Sequence, residues 1–270
     1  MQRTETIAAA ELGAALSAPR LVEQTPYIVI SDGYKKHSLE SFMRQRTRAR
    51  GSMATDSLDS FEDYVVAHQE QGAAVFVTAA DMRATAVLNL GTPEAPGHAD
   101  NTAHYQPTRA AAYTALLRVA DGYGKKQGEI AEFLEDWPDH IVCFNSGEGI
   151  TPPQAIAAIR KITIEALRKV ESAEQQLSAS KTSFESVTAS SANPLPTHIY
   201  FACTPYADLQ PRTFVLRLGI QTGGDKPSIF LRIVNADKHQ EQMAQELVAN
   251  VQASLGEHVP VLIGSYSPGQ

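Results

Sequence analysis

The sequence predicts an α+β fold, antiparallel sheets with packed helices, centred on a β-hairpin over 213–234 that is followed by an amphipathic helix over 235–254. Phe214, Leu216, Leu218 and Ile220 alternate with Val215, Arg217 and Gly219. After Thr222-Gly223-Gly224-Asp225, a second run alternates Ile229, Leu231 and Ile233 with Phe230, Arg232 and Val234. Two period-two runs joined at a Gly-Gly turn are the pattern of an antiparallel hairpin. Met243, Leu247, Val248 and Val251 then recur at helical spacing. Hairpin strands of this kind set the class apart from doubly wound nucleotide folds, whose strands are parallel.

The other elements follow in chain order. Residues 6–18 form a helix ended by Pro19, with Ile7, Leu12 and Leu16 as its large apolar side chains among alanines. Alanine favours the helix but offers little area to bury, so this element holds its place weakly alone. Tyr27–Ile30 is a short strand closed by Asp32-Gly33. Asp56 or Ser57 caps a helix over 57–70 that turns Leu58, Phe61, Tyr64, Val65 and His68 to one side. Ala73–Thr78 and Ala84–Leu90 make a second hairpin around Asp81-Met82, and residues 91–97, with two prolines and two glycines, make a loop. Ala103–Gln106 is a third strand, and 109–120 and 127–136 are helices. Pro152-Pro153 opens a helix reaching at least Ile159. Over 160–171 helix and strand are both compatible with the pattern, and 178–192 reads as an exposed strand or loop. Ile199–Cys203 pairs with the main hairpin, and Val259–Ile263 is the last strand. The organisation expected is an N-terminal helix and basic arm over 1–55, which forms an interface, and an α+β domain over 56–270 that divides into two lobes, 56–150 and 151–270.

Composition narrows the function classes. Of 270 residues 43% are hydrophobic and 20% charged, the balance of a globular chain. A formal charge of −7 gives no bulk attraction for nucleic acid or an anionic membrane, although a local patch can. Two isolated cysteines, Cys143 and Cys203, make neither a disulfide framework nor a zinc cage, and read as small core hydrophobes in a reducing compartment. No run reaches the roughly 18 apolar residues of a membrane span, and the N-terminus lacks a signal-peptide pattern, so a cytoplasmic protein with no membrane partner is expected.

Candidate sites are sparse. Residues 35–50 hold Lys35, Lys36, Arg44, Arg46, Arg48 and Arg50 against Glu40. In an extended strand Arg44, Arg46, Arg48 and Arg50 would project to one side, a row suited to phosphates or to carboxylates of a neighbouring subunit. Plain solvation is the competing reading. His98, Asp100 and His104 suggest a metal site, but their spacing matches no common ligand pattern and an ordinary polar loop explains them better. Glu129, Glu132, Glu135, Asp136, Asp139 and His140 could support acid–base chemistry, yet they fall where the solvated face of helix 127–136 would place them. Residues 122–126 and 145–149 lack phosphate-loop spacing and read as turns. The residues therefore predict no catalytic group, cofactor or metal.

Several segments together resemble one family. They are Arg48-Ala-Arg-Gly-Ser52, Ser60-Phe-Glu-Asp-Tyr64, the stretch from Ala84 through Gly91-Thr-Pro-Glu-Ala-Pro-Gly-His98, Glu132-Phe-Leu-Glu-Asp-Trp137, Leu177-Ser-Ala-Ser-Lys181, Pro205-Tyr206 and Arg212-Thr-Phe-Val-Leu-Arg-Leu218. In this order they resemble the YfdQ family of phage and prophage proteins, a domain of unknown function (DUF2303). The resemblance runs over nearly the whole chain. It implies a phage protein, often encoded near recombination or replication genes, and transfers no catalytic residue. The expectation is a non-enzymatic protein acting as a symmetric homo-oligomer, a closed ring or shell. The alternative is an accessory nucleic-acid binder in phage recombination or counter-defence, with DNA or recombination proteins as partners.

Overall fold

The alternating run after Pro211 becomes an inner strand of a five-stranded antiparallel sheet. The computed structural model describes residues 42–162, 194–221 and 228–267, with residue 13 and the short segments 20–21 and 28–29. The chain divides into two compact units, residues 1–49 and 50–270. In the first, β1 (Arg20–Leu21) pairs antiparallel with β2 (Ile28–Val29). The expected helix 6–18 and segment 178–192 fall outside the described residues, apart from residue 13, as do 163–171 and the turn at 222–225.

The second unit holds, in order, β3 (Gly51–Thr55), α1 (Leu58–His68), β4 (Ala74–Thr78), β5 (Arg83–Val87), β6 (Asn101–Tyr105), α2 (Ala111–Val119), α3 (Gln127–Asp136), β7 (Ile141–Asn145), β8 (Glu148–Ile150), α4 (Pro152–Arg160), β9 (His198–Cys203), β10 (Arg212–Gln221), β11 (Ser228–Ile233), α5 (Ala236–Leu255) and β12 (Val261–Ile263). They build two five-stranded sheets, ordered β11-β10-β9-β7-β8 and β12-β4-β5-β6-β3.

In the first sheet β10 pairs antiparallel with β11, Leu216 opposite Ile233 and Gly219 opposite Phe230, and with β9 on its other side. Phe214, Leu216 and Leu218 are buried while Arg217 is exposed, as the alternation requires. Strands β7 and β8 were not expected. Ser146 and Gly147, both at positive φ, form the tight turn between them. The segment 145–149 is therefore the tip of a hairpin.

The second sheet is antiparallel at its centre, where β5 pairs with β4 and β6. Its two edges are parallel, β12 on β4 and β3 on β6, which alternation alone did not indicate. Gly51–Thr55 thus belongs to the second unit rather than to an N-terminal arm. One hydrophobic core runs through this unit, from Phe61 and Val75 to Phe201, Phe214 and Leu247.

The helices follow their sequence signals. Ser57 caps α1 by accepting the Ser60 amide at 3.2 Å, and Thr151 and Gln154 form a capping box on α4. Phe61 and Val65 of α1 are buried, but His68 is exposed. The imidazole of His68 sits at the helix end, with Nδ1 2.9 Å from the Tyr64 carbonyl and its ring stacked on Tyr64. Helix α5 packs against α1, β12 and the 3-10 turn Ala79–Asp81 between β4 and β5, so it faces the second sheet as well as the hairpin that precedes it.

Where three turns meet, side chains have no room. Gly72 has φ +78°, and a Cβ there would overlap the Gly91 carbonyl; a Cβ on Gly91, at φ +75°, would overlap the Ala95 carbonyl. Asn89 locks the same loop, accepting the Asn101 amide and donating to Asp100, each at 3.0 Å. Gly72→Ala is expected to cost about 1–3 kcal/mol, read from the urea midpoint. An unchanged midpoint would show that the turn relaxes freely. Cys143 and Cys203 lie in the core, and burial pushes both thiols up to about 11. The folded protein should resist a thiol reagent at pH 8 until denaturant is added, and immediate labelling of either thiol would contradict this packing.

Candidate functional site: the arginine-bearing cleft

The basic segment is described from residue 42. Residues 43–50 run through bends, and regular strand begins at Gly51, so Arg44, Arg46, Arg48 and Arg50 do not project from one side of a strand. A strand is held extended by its ladder of hydrogen bonds, and residues 43–50 enter no ladder among the described residues. Arg44, Arg46 and Arg50 are exposed and Arg48 is half-buried.

The acidic residues of α3 face solvent, opposite buried Ile130, Ala131, Phe133 and Leu134. Glu129 accepts the Lys126 amide at 3.3 Å, and Glu135 takes Arg160 in a two-pronged contact at 2.9 Å. Glu132 and Asp136 border a groove of about 330 Å³ that also carries Arg118 and Lys125, so its charges are mixed. His140 is structural, with Nδ1 2.7 Å from the Ala202 carbonyl and its ring stacked on Phe201. Asp139 is exposed.

His98, Asp100 and His104 have separate roles. His98 is exposed in the loop, and Asp100 accepts Asn89. The His104 ring lies within hydrogen-bond distance of the Thr85 and Thr102 hydroxyls, at 3.1 and 3.3 Å. Burial, then the Arg83 guanidinium, holds His104 below the usual histidine range. Among the described residues no three His, Cys, Asp or Glu side chains converge.

A cleft that sequence reasoning missed opens beside the β4–β5 turn. Its volume is about 710 Å³, within the range of small-molecule sites. Arg83, where β5 begins, and Arg109, just before α2, both line it. Arg109 donates from Nε to the Tyr206 hydroxyl at 3.3 Å. Tyr113, Leu117 and Met243 supply apolar wall, and Asp81 and Gln240 add polar groups. Nearby, Tyr105 donates to Asp208 at 2.7 Å, and burial with the Asp208 carboxylate raises the phenol well above its ordinary pKa. The lining residues come from four distant stretches of chain. The available sequence signal was faint: two single arginines, one just after a turn and one just before a helix.

No helix among the described residues is long and apolar enough to cross a membrane. No curated protein and no solved structure matches the chain. The model of a family described as uncharacterized conserved proteins, DUF2303, matches residues 2–266. This span is nearly the whole sequence, and the chain belongs to the DUF2303 family.

Proposed function

We propose that this is a phage or prophage protein of the YfdQ kind that acts without catalysis, as a symmetric homo-oligomer closing into a ring or shell in the host cytoplasm. The observation that carries the reading is the edge of the second sheet. Strand β12 is an outermost strand, and Leu262 and Ile263 on it are 49% and 72% exposed. Soluble monomers usually blunt such edges with charge, proline or a covering element. A second apolar patch supports it, since Phe42 is 86% and Met43 54% exposed. Burying one such side chain fully is worth about 1.5–3 kcal/mol. Association costs on the order of 4–15 kcal/mol in lost freedom, so one patch alone would not hold a stable pair. Repeated contacts around a closed ring would.

Light scattering at micromolar protein is expected to give a mass several times the 29.2 kDa of one chain. A double Leu262→Glu, Ile263→Glu variant should give smaller particles with unchanged circular dichroism. A wild-type mass of one chain would overturn the reading.

The exposure of Arg44, Arg46 and Arg50 favours a second reading, an accessory nucleic-acid binder. Binding through phosphate contacts weakens steeply with salt. Mobility shifts at low and moderate salt test it with the Arg46→Ala, Arg48→Ala, Arg50→Ala triple variant. A variant that keeps its particle size and loses DNA supports this reading, and a wild-type protein that shifts no DNA at low salt removes it.

A further inference from the structure

We propose that the cleft beside the β4–β5 turn binds a small phosphate-bearing molecule, held by the guanidiniums of Arg83 and Arg109. The cleft is formed within one subunit, so the inference is independent of the assembly reading. Two other arginines of this unit are held by carboxylates, Arg160 by Glu135 and Arg212 by Glu246. Among the described residues, neither Arg83 nor Arg109 forms an ion pair with a carboxylate, and both line the same cavity. Two guanidiniums bordering one concave space are the arrangement that recognises a tetrahedral anion through paired N–H donors.

Arg109 is also oriented in advance. Its Nε is taken by the hydroxyl of Tyr206, and the Tyr206 side chain is itself buried and packed against Tyr113. With Nε engaged, the terminal nitrogens remain to meet a ligand, and less side-chain freedom is lost on binding. The core fixes the wall, since Met82, Tyr113 and Met243 are all buried.

Asp81 decides what else the ligand carries. Its carboxylate would repel a bare anion of high charge, but it accepts hydrogen bonds from hydroxyls, as the Gln240 carbonyl does. The two arginines less one aspartate leave a net positive site matched to a phosphate monoester with a hydroxyl-bearing body. At about 710 Å³ the cleft has room for a sugar phosphate or a mononucleotide. Duplex DNA fits it less well, because two arginines over a single concavity match one phosphate, whereas a duplex backbone needs a row of cations along a groove.

The test is calorimetric titration of the full chain at low salt with ribose 5-phosphate and with adenosine 5′-monophosphate, using ribose and adenosine as uncharged controls. Saturable one-to-one binding of either phosphate, absent for the controls, is expected. Arg83→Gln and Arg109→Gln should each weaken it by about tenfold or more, a loss of about 1.4 kcal/mol per factor of ten, with unchanged thermal unfolding. Binding of the sugar phosphate alone identifies its headgroup as the ligand part recognised, and binding of the nucleotide alone extends recognition to the base. If neither phosphate binds at millimolar concentration, or if binding survives the double variant, the proposal is wrong. If instead a short single-stranded DNA binds and the same two substitutions abolish it, the arginines serve a nucleic-acid backbone and the proposal is equally overturned.

Discussion

Burial of one stripe on α5 governs the arrangement of the second unit. Met243, Leu247, Val251 and Leu255 recur along the helix and are almost fully buried. Each is worth about 1.5–3 kcal/mol when withdrawn from water, and the stripe runs along a helix of 20 residues. The helix stays in contact with the hairpin strand β10, through Phe214 and Arg212, and also packs against α1, β12 and the turn between β4 and β5. One consequence is the fate of the chain beyond it: β12 runs parallel to β4, with Val261 opposite Val75. A strand from the end of the sequence thereby completes a sheet begun near residue 51.

Polar groups fix this packing in register. Arg212, where β10 begins, pairs with Glu246 on α5, and Glu246 also receives the Gln210 amide. Asn250, one turn further on, donates to the Asp208 carbonyl at 2.7 Å, while the Asp208 carboxylate receives Tyr105 from β6. The segment 206–212 is therefore tied to the helix on one side and to the second sheet on the other. Tyr206 sits at its start, which is why the hydroxyl that steers Arg109 is held by both halves of the core. The cleft is a by-product of how the sheets are joined: it opens where the β4–β5 turn, the approach to α2 and the side of α5 converge without filling the space.

What could be read from the sequence was whatever a local pattern encodes. Phe214 to Ile233 alternates because one face of β10 and β11 is core, and α3 shows its apolar face at Ile130, Phe133 and Leu134 for the same reason. Strand β3 was hidden because Gly51-Ser-Met-Ala-Thr lies at an edge with little burial, and an edge strand leaves a weak alternation. Strand β7, Ile141-Val-Cys-Phe-Asn, was hidden for a different reason. It depends on pairing with β9, more than 50 residues later, and no local signal reports a distant partner. The parallel closure by β12 was unreadable on the same ground. The site divides likewise. The solvated acids of α3 follow from helical periodicity. The convergence of Arg83, Arg109 and Tyr206 follows only from the joining of the sheets, and each is an unremarkable single residue in its own segment.

The second sheet also constrains any assembly built on its edges, because those edges are unlike. Among the described residues β12 presents Val261, Leu262 and Ile263, all apolar and the last two exposed, whereas β3 presents Gly51, Ser52, Met53, Ala54 and Thr55, of which Ser52 and Thr55 are polar, immediately after the basic segment. An isologous contact would set β12 against its own copy and close as a pair, satisfying two short edges and leaving both copies of β3 open. A heterologous contact, β12 of one copy beside β3 of the next, uses both edges of each subunit and repeats until rotation closes it. The right-handed twist of a sheet gives each added copy a constant rotation. For edge-to-edge contact, therefore, a ring is the arrangement that leaves no edge of this sheet open, while a simple dimer leaves two.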